Sequence, residues 1–291
     1  MDTPIYQGQH RISQVYLKEF GYLKDGKWYI AVWEKSKNHT DFVLIENFTK
    51  ETNVFDLPFF ESVEERRHFE IKSVIIENEY KKILNTIENQ QQLTPRHEDL
   101  LRHYIANLIC RARPYRELFE DYLKYSHVKE AFLTEITMFK PEDLPILKES
   151  ISYIPEETHL NYITGHIMNF LVNVFRSFHC IILKDYANRG WFTSDNPVII
   201  ETQEDLNELN DEYQWTIPVE SEIYFPLSPN YCAFFFHPKS PKNSNPLRNL
   251  EKNKVHQSDE KTHEKICYLI GAHKSHYFLF NQEMDPFFLD Q

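Results

Sequence analysis

The sequence predicts an α+β protein in which a helix-rich middle packs on an antiparallel sheet built from N- and C-terminal strands. Apolar residues recur at helical spacing through most of the stretch from about 61 to 185. Aromatic and β-branched runs bounded by turn residues flank it, at about 22–48 and 190–281. With 291 residues, 41% of them hydrophobic, the chain can bury a sizeable core, and we interpret residues 1–291 as a single domain.

The first elements alternate between helix and strand. An Asp25-Gly26 step between two aromatic, β-branched runs is typical of a tight hairpin. Ile12, Tyr16 and Phe20 would form the apolar stripe of a short helix before it. In order, we expect a helix at 10–20, a hairpin at 22–33, a third strand at 42–48 and a long amphipathic helix at 61–89.

Prolines divide the helical middle. Thr94 and Pro95 suit the N-cap and first position of a helix, and Pro114 should kink or restart that helix near Arg113. Residues 160–183 contain no Asp, Glu or Lys, which predicts a helix that is buried nearly all round. Further helix is expected at 119–139 and, as a short segment, within 141–155.

The C-terminal part is predicted to be rich in strands. Residues 191–200 suggest a strand interrupted by Ser-Asp-Asn-Pro, and an acidic surface loop should follow at 202–216. The remaining predicted elements are aromatic strands at 222–229 and 231–236, a basic loop at 239–256, a helix at 259–272 and a last strand at 275–281.

Composition excludes several classes of protein. A net charge of −12 disfavours binding to extended nucleic acid, and the sequence has no glycine-rich phosphate-binding motif. The four cysteines form no C-x-x-C pair, which favours buried thiols over disulfides or structural zinc. The N-terminus lacks a signal region and the apolar helix is too polar for a bilayer, so we expect a cytoplasmic protein without a membrane partner.

The Thr-Ser-Asp-Asn-Pro motif at 193–197 is the first candidate site. Asp195 could act as a general base, orient a histidine or hold a divalent ion, and Ser194 and Asn196 could bind a substrate oxygen. Asp and Asn before Pro are also ordinary turn chemistry. His10 with Gln14, four residues later, could be a general acid or base with its partner, or a capping or core-edge histidine.

Charged and polar clusters give further candidates. Arg113 lies in the densest arginine cluster, with Arg102, Arg111 and Arg116, and could bind an anion or pair with Glu117 or Glu120. Glu70 and Glu77 could face a cleft, although the spacing favours an ordinary solvated pair of Glu77 with Lys81. A polar stripe on the buried helix could satisfy loop carbonyls or line a cavity beneath Asp195; its members are His166, Asn169, Asn173 and Arg176. No histidine spacing predicts a metal site.

Three motifs in order resemble one family. The run from His10 to Phe20 resembles H-x-x-P-x-x-Y-L-x-x-F, with Ser13 in place of the usual proline. The Thr-Ser-Asp-Asn-Pro-Val and Phe225-Pro-Leu-Ser-Pro229 runs resemble the T-S-D-N-P-V and F-P-L-S-P motifs. This is the pattern of the bacterial family called domain of unknown function 4238, and Arg113 before Pro114 resembles its Arg-Pro element. The resemblance implies no known activity, but it implies that His10 and the Asp195–Asn196 pair meet in one site.

Two functional hypotheses follow. In the first, the chain is an intracellular hydrolase, such as a nuclease-like toxin or phage-defence effector. His10 and Asp195 would be catalytic, and Gln14, Arg113, Ser194 and Asn196 would bind a small phosphorylated ligand, another anion or a nucleic-acid fragment. The cofactor is unknown, and a divalent metal at Asp195 is one option. In the second, the motifs are structural and the chain binds a ligand or a protein partner through its aromatic strands, the basic loop or the Pro-Phe-Phe-Leu tail at 286–289.

Overall fold

The computed structural model describes residues 7–34, 36–37, 39–202, 217–240, 245–274 and 276–280. It confirms the α+β class. The predicted acidic loop from 203, residues 241–244 of the basic loop and the 286–289 tail lie outside the described residues. None of the helices in the described ranges is long and apolar enough to cross a membrane. That the chain is a single domain stays a prediction.

The helices occupy the middle of the chain. In order they are α1 (Gln14–Leu17), α2 (Val63–Arg66), α3 (His68–Gln90), α4 (Pro95–Arg111), α5 (Arg113–Lys124), α6 (Ser126–Ile136), α7 (Asp143–Ser152), α8 (His159–Arg176) and α9 (Glu260–His273). Two 3₁₀ turns are Glu156–Thr158 and Pro246–Asn249.

The strands lie mostly at either end of the chain. They are β1 (Gly8–His10), β2 (Tyr22–Lys24), β3 (Lys27–Glu34), β4 (His39–Leu44), β5 (Lys50–Thr52), β6 (His179–Lys184), β7 (Thr193–Ser194), β8 (Ile199–Glu201), β9 (Glu222–Ser228), β10 (Tyr231–Phe236), β11 (Val255–Gln257) and β12 (Tyr277–Phe280).

These strands form two larger sheets within the described residues. The first contains the N-terminal hairpin β2–β3 and pairs it with the C-terminal strand β12, as predicted; β4 and β7 complete it. The second has the strand order β11-β6-β10-β9-β8. The sequence analysis predicted one sheet and did not predict this second one. Strands β1 and β5 form a small additional ribbon. The large apolar cluster of the core lies between the helices and these sheets, and a second cluster surrounds the buried Trp191.

Local signals for turns and caps were accurate. Asp25 and Gly26 have φ values of 50° and 74°, as a two-residue hairpin of this type requires. Thr94 accepts a hydrogen bond from the His97 backbone N–H at the start of α4. Ala112 is extended, and the next helix restarts at Arg113, one residue before Pro114.

Four predicted helices were too long. The helix expected at 10–20 is only the four residues of α1, and the helices at 61–89 and 119–139 are broken at Arg67 and Tyr125. The helix predicted over 160–183 ends at Arg176, and residues 179–184 form β6, an interior strand of the second sheet. A short, fully buried strand and a buried helix segment are both continuous apolar runs, so periodicity alone does not separate them.

Candidate functional site

His10 lies at the end of β1 with both ring nitrogens engaged. Its Nε2 lies 2.8 Å from the Gln14 amide nitrogen, and its Nδ1 lies 3.1 Å from the Phe48 carbonyl oxygen. The consistent assignment is a neutral ring that donates from Nδ1 and accepts at Nε2. Burial lowers the pKa of His10, which favours this neutral form. His10 and Gln14 are therefore in contact, although not as neighbours on one helix, because His10 ends β1 and α1 begins at Gln14.

The three motifs meet at Tyr16. Its hydroxyl lies 2.6 Å from the Thr193 hydroxyl and donates to the Pro226 carbonyl oxygen at 2.9 Å. Its ring stacks on Phe225 with a centroid separation of 5.2 Å. Tyr16 is fully buried. This junction joins α1 to one strand from each of the larger sheets, so the motif residues that meet here have an architectural role.

Removing the Tyr16 hydroxyl should destabilise the fold. Tyr16→Phe keeps the stacked ring but leaves the Pro226 carbonyl oxygen without this donor, and we expect a loss of about 1–3 kcal/mol in the free energy of unfolding. Urea unfolding followed by fluorescence would measure it. Tyr268→Phe is the matched control, because Tyr268 is 74% exposed. Equal effects of the two changes would contradict the role given to Tyr16.

The stability contributed by His10 should depend on pH. Because its pKa is lowered on folding, the unfolded chain binds more protons near the unperturbed pKa of about 6.5, so stability rises with pH in and just below that range. His10→Asn can still donate to Phe48 but does not titrate. We expect the wild type to lose more stability than this variant when pH falls from about 7.5 to about 5.5. Parallel melting temperatures of the two proteins would refute the assignment.

Ser194 and Asn196 are buried in the turn that carries the chain from β7 to β8. The Ser194 hydroxyl donates to the Asn196 carbonyl oxygen at 2.9 Å, and the Asn196 side chain donates to the His273 carbonyl oxygen at 3.1 Å. These contacts fix the crossing between the two sheets. Neither residue lines the cavity described next, and their role in binding substrate stays a prediction.

A cavity of about 370 Å³ opens beside Asp195, and we call it the Asp195 cavity. Its charged and titratable lining consists of Asp195, His276, Arg11, Arg113 and Glu51. The rest of the lining is Val43, Asn47, Phe48, Thr49 and Tyr277. The structure therefore brings together two of the predicted site residues, Asp195 and Arg113. His10 and Gln14 are not in the lining, although Phe48, which His10 contacts, is.

Asp195 and His276 lie next to each other in the lining of the Asp195 cavity. Pairing of β7 with β12 places them together. The Asp195 backbone N–H donates to the Tyr277 carbonyl oxygen at 3.2 Å, and the Asp195 carboxylate accepts from the His276 backbone N–H at 2.8 Å. The His276 Nδ1 lies 3.6 Å from the same carboxylate. The Asp195 side chain is 11% exposed, whereas that of His276 is 57% exposed. Such a pair presents an accessible imidazole beside a fixed carboxylate.

The two arginines of the Asp195 cavity differ in their freedom. Arg11 pairs with Glu51 through both carboxylate oxygens, at 2.5 and 2.8 Å, and this hydrogen bonding lowers the pKa of Glu51. Among the described residues, Arg113 contacts Glu117 at 3.3 Å in an exposed ion pair, and the Arg113 side chain is 59% exposed. Exposed pairs of this kind contribute little, so Arg113 can turn to an anionic ligand at small cost.

Sequence reasoning missed Arg11 and His276. Arg11 directly follows His10, which the sequence had indicated as a site residue. Side chains alternate between the two faces of a strand, and this alternation could have indicated that Arg11 faces a different side from His10. His276 carried no signal, because its position depends on the pairing of strands that are about 80 residues apart in the chain.

Arg111 belongs to a separate buried network. Its Nε donates to the His10 carbonyl oxygen at 2.8 Å and its Nη1 to Glu70 at 2.7 Å, with Glu77 at 3.8 Å. The expected solvated pair of Glu77 with Lys81 was wrong, because Lys81 bonds Glu19 instead. Burial raises the pKa of both carboxyls, and Arg111 opposes that rise.

The polar stripe of α8 faces outward. Asn169 and Arg176 are exposed and Arg176 pairs with Asp99 at 3.0 Å, so α8 is not buried all round. His166, Asn169, Asn173 and Arg176 line a different cavity of about 450 Å³, whose lining does not include Asp195. Within the ranges given above, no group of three or more His, Cys, Asp or Glu side chains is arranged to hold a metal ion.

The chain was compared with curated proteins, solved structures and family models. No curated protein and no solved structure matches the chain significantly. One family model, described as a protein of unknown function (DUF4238), matches residues 8–267. That span includes β1, the junction at Tyr16 and the motifs of both larger sheets. The match covers most of the chain, and the protein therefore belongs to the DUF4238 family.

Proposed function

We propose that this protein is an intracellular hydrolase that acts on a phosphate-bearing or other anionic substrate in the Asp195 cavity. The observation that carries the proposal is the convergence, in one open cavity, of the Asp195–His276 pair with the guanidinium groups of Arg11 and Arg113. An imidazole beside a carboxylate is suited to general acid–base work, and guanidinium groups are suited to phosphoryl or carboxylate oxygens. A reaction that needs both is hydrolysis of a charged ester.

In this mechanism His276 acts as the general base. Its Nδ1–H would donate to Asp195, which leaves Nε2 to accept a proton from water. The water oxygen attacks the phosphorus as the bond to the leaving oxygen breaks, and His276 then returns the proton to that oxygen. Arg113 and Arg11 would stabilise the charge on the remaining phosphoryl oxygens. For this step the separation of 3.6 Å between His276 Nδ1 and the Asp195 carboxylate would shorten to a hydrogen bond, as catalytic contacts commonly do when substrate binds.

The cavity and the charge of the chain restrict the substrate. A volume of about 370 Å³ accommodates a small phosphorylated molecule or a nucleotide-sized fragment. The net charge of −12 repels a long nucleic-acid backbone. These features support a small phosphate ester as the substrate. A nuclease-like toxin or phage-defence effector is a cellular role that such chemistry would serve, and this part of the proposal rests on analogy alone.

One observation favours a second candidate, a non-catalytic binding module. His10 is internally satisfied, and Tyr16 joins the three motifs in the dry core. Under this alternative, Arg113 and His276 would bind an anionic ligand without turning it over. The two candidates share the binding site and differ in the chemistry.

The direct test is hydrolysis by the purified chain. Wild-type protein would be assayed with a chromogenic phosphomonoester, a phosphodiester and a carboxylic ester, with and without added Mg²⁺ or Mn²⁺. We expect turnover of at least one phosphate ester, lost in His276→Ala and kept in His127→Ala. The control removes an imidazole from an exposed position on α6.

Binding measurements separate the two candidates. Inorganic phosphate, titrated calorimetrically, should bind to wild type and more weakly to Arg113→Gln. Phosphate binding without turnover of any ester would support the module and contradict the hydrolase. Neither binding nor turnover would contradict both. Turnover that survives His276→Ala would place the chemistry outside the Asp195 cavity.

A further inference from the structure

Two aromatic rings in the lining of the Asp195 cavity have no role in the proposed hydrolysis. They belong to Phe48 and Tyr277, and Val43 adds a further apolar side chain to the lining. The two rings meet edge to face, with centroids 5.8 Å apart and planes inclined at 70°. We call Phe48 and Tyr277 the aromatic pair. The cavity therefore offers an apolar, ring-lined surface as well as its charged groups.

The aromatic pair is held in place by the fold. Both residues are half-buried and pack against the large apolar cluster of the core. The Phe48 carbonyl oxygen lies 3.1 Å from His10 Nδ1, and the Tyr277 carbonyl oxygen accepts from the Asp195 backbone N–H at 3.2 Å. Residues of two sequence motifs thus anchor the backbone that carries the two rings. A surface that is ordered before binding loses little conformational entropy when a ligand binds.

The aromatic pair adjoins the proposed general base. The His276 ring centroid lies 5.8 Å from that of Tyr277, with the two planes inclined at 36°. A phosphate ester held at His276 and Arg113 therefore has the aromatic pair within reach of its other end. Nucleobases stack on aromatic side chains of this kind. Asn47, an exposed residue of the same lining, carries an amide donor and acceptor that suit the polar edge of a base.

The charges of the cavity limit the ligand to one phosphate group. Among the lining residues that the structure describes, the two guanidinium groups of Arg11 and Arg113 stand against the carboxylates of Asp195 and Glu51. Glu51 already binds Arg11 through both oxygens, so Arg113 is the more available cation. A cavity with balanced charges and one available guanidinium suits a single phosphate and opposes the several charges of a triphosphate.

We propose that the substrate of the Asp195 cavity is a nucleoside 5′-monophosphate whose base stacks on the aromatic pair. The inference rests on the proposed hydrolase for the position of the phosphate, at His276 and Arg113. The water oxygen bonds to phosphorus, the bond from phosphorus to the 5′ oxygen breaks, and that oxygen takes the proton from His276. The products are a nucleoside and inorganic phosphate. A cavity of about 370 Å³ is in the range of pockets that hold ligands of this kind.

The first test is binding of nucleotides to the full chain. AMP, GMP, CMP and UMP are titrated calorimetrically, with and without Mg²⁺, beside ribose 5-phosphate, which lacks the base. We expect the best nucleotide to bind about tenfold or more tightly than ribose 5-phosphate, the usual effect of stacking one base. It should also bind more tightly than its triphosphate. No binding of any of the four, equal binding of ribose 5-phosphate, or tighter binding of the triphosphate in both conditions would overturn the proposal.

Variants of the aromatic pair assign this preference to the rings. Tyr277→Leu keeps an apolar side chain without the ring, so the ratio of affinities for the nucleotide and ribose 5-phosphate should fall from about ten to near one. Tyr277→Phe keeps the ring and should keep the ratio, as should Tyr153→Leu, which removes an 80% exposed ring on α7's C-terminal side. Phe48→Leu removes the other ring and gives a second test if Tyr277→Leu does not fold. An unchanged ratio in the folded leucine variants would refute the assignment.

Release of phosphate separates this inference from the proposed function. If the protein hydrolyses ribose 5-phosphate with the same kcat/KM as the nucleotide, the hydrolase stands and the nucleotide assignment fails. If the nucleotide binds with a preference that depends on Tyr277 but no ester is turned over, the nucleotide stands as the ligand of the cavity and the hydrolase fails.

Discussion

Arg111→Met is expected to lower the free energy of unfolding by about 3–5 kcal/mol, because it leaves buried charges without their partner. The Arg111 side chain is only 3% exposed and lies between the Glu70 and Glu77 carboxylates. It also donates to the His10 carbonyl oxygen and lies over the Phe55 ring at 4.7 Å. Methionine keeps much of the volume and none of the charge, so the loss reports the electrostatic role of Arg111.

The pH dependence of this loss gives a second, independent readout. Burial already raises the pKa of Glu70 and of Glu77 in the folded protein. Without Arg111 the two pKa values should rise further, and the folded state of the variant then binds more protons than its unfolded state. Its stability should therefore fall as pH rises, so the loss should be larger at about pH 8 than at about pH 5.

Chemical unfolding at both pH values would measure these effects, with Arg176→Met as the matched control. Arg176 also pairs with a carboxylate, Asp99, but its side chain is 49% exposed, so its loss should cost less than about 1 kcal/mol. A cost for Arg111→Met as small as that of the control would show that the buried network is not what holds β1 against α3 and α4.

Under the hydrolase proposal, Asp195→Asn and His276→Ala should each reduce kcat by about 10²–10⁴-fold, the usual contribution of a positioned general base. Asparagine can still accept from the His276 backbone N–H. It no longer favours the imidazole tautomer that leaves Nε2 free to take a proton. Neither change removes an arginine from the cavity. KM for a phosphate ester should therefore change little, whereas Arg113→Gln should mainly raise KM.

The double variant Asp195→Asn/His276→Ala distinguishes a working pair from two separate contributors. The effects of substituting residues that act as a unit are strongly non-additive. The double variant should therefore be about as slow as the slower single variant. Melting temperatures would be recorded for all variants, because Asp195 also ties the chain to β12. Losses that multiply would show that Asp195 and His276 contribute separately, and losses that follow the melting temperature would assign Asp195 to structure instead of catalysis.

The sequence was most informative where the governing interactions are local. The Asp25-Gly26 hairpin, the Thr94-Pro95 helix start and the restart at Arg113 each depend on a few neighbouring residues. Contact of His10 with Gln14 is also local, although it spans the connection from β1 to α1 and not one face of a helix. The sequence also correctly indicated the α+β class and the family.

Long-range pairing decided what the sequence left open. The run Cys180-Ile-Ile-Leu183 became a central strand instead of the end of α8, because neighbouring strands on both sides satisfy its backbone groups. The interrupted strand at 191–200 became two strands in different sheets, and its turn carries Asp195 between them.

The sequence by itself therefore determined most of the elements, several of their caps and turns, and the candidate polar residues. Only the tertiary structure decided which of those residues meet. Pairing of β7 with β12 brings His276 to Asp195, whereas packing of α4 takes the His10 carbonyl oxygen into the Arg111 network. The physical reason is that caps and turns are governed by interactions within a few residues, whereas a site is assembled by burial and strand pairing among distant segments.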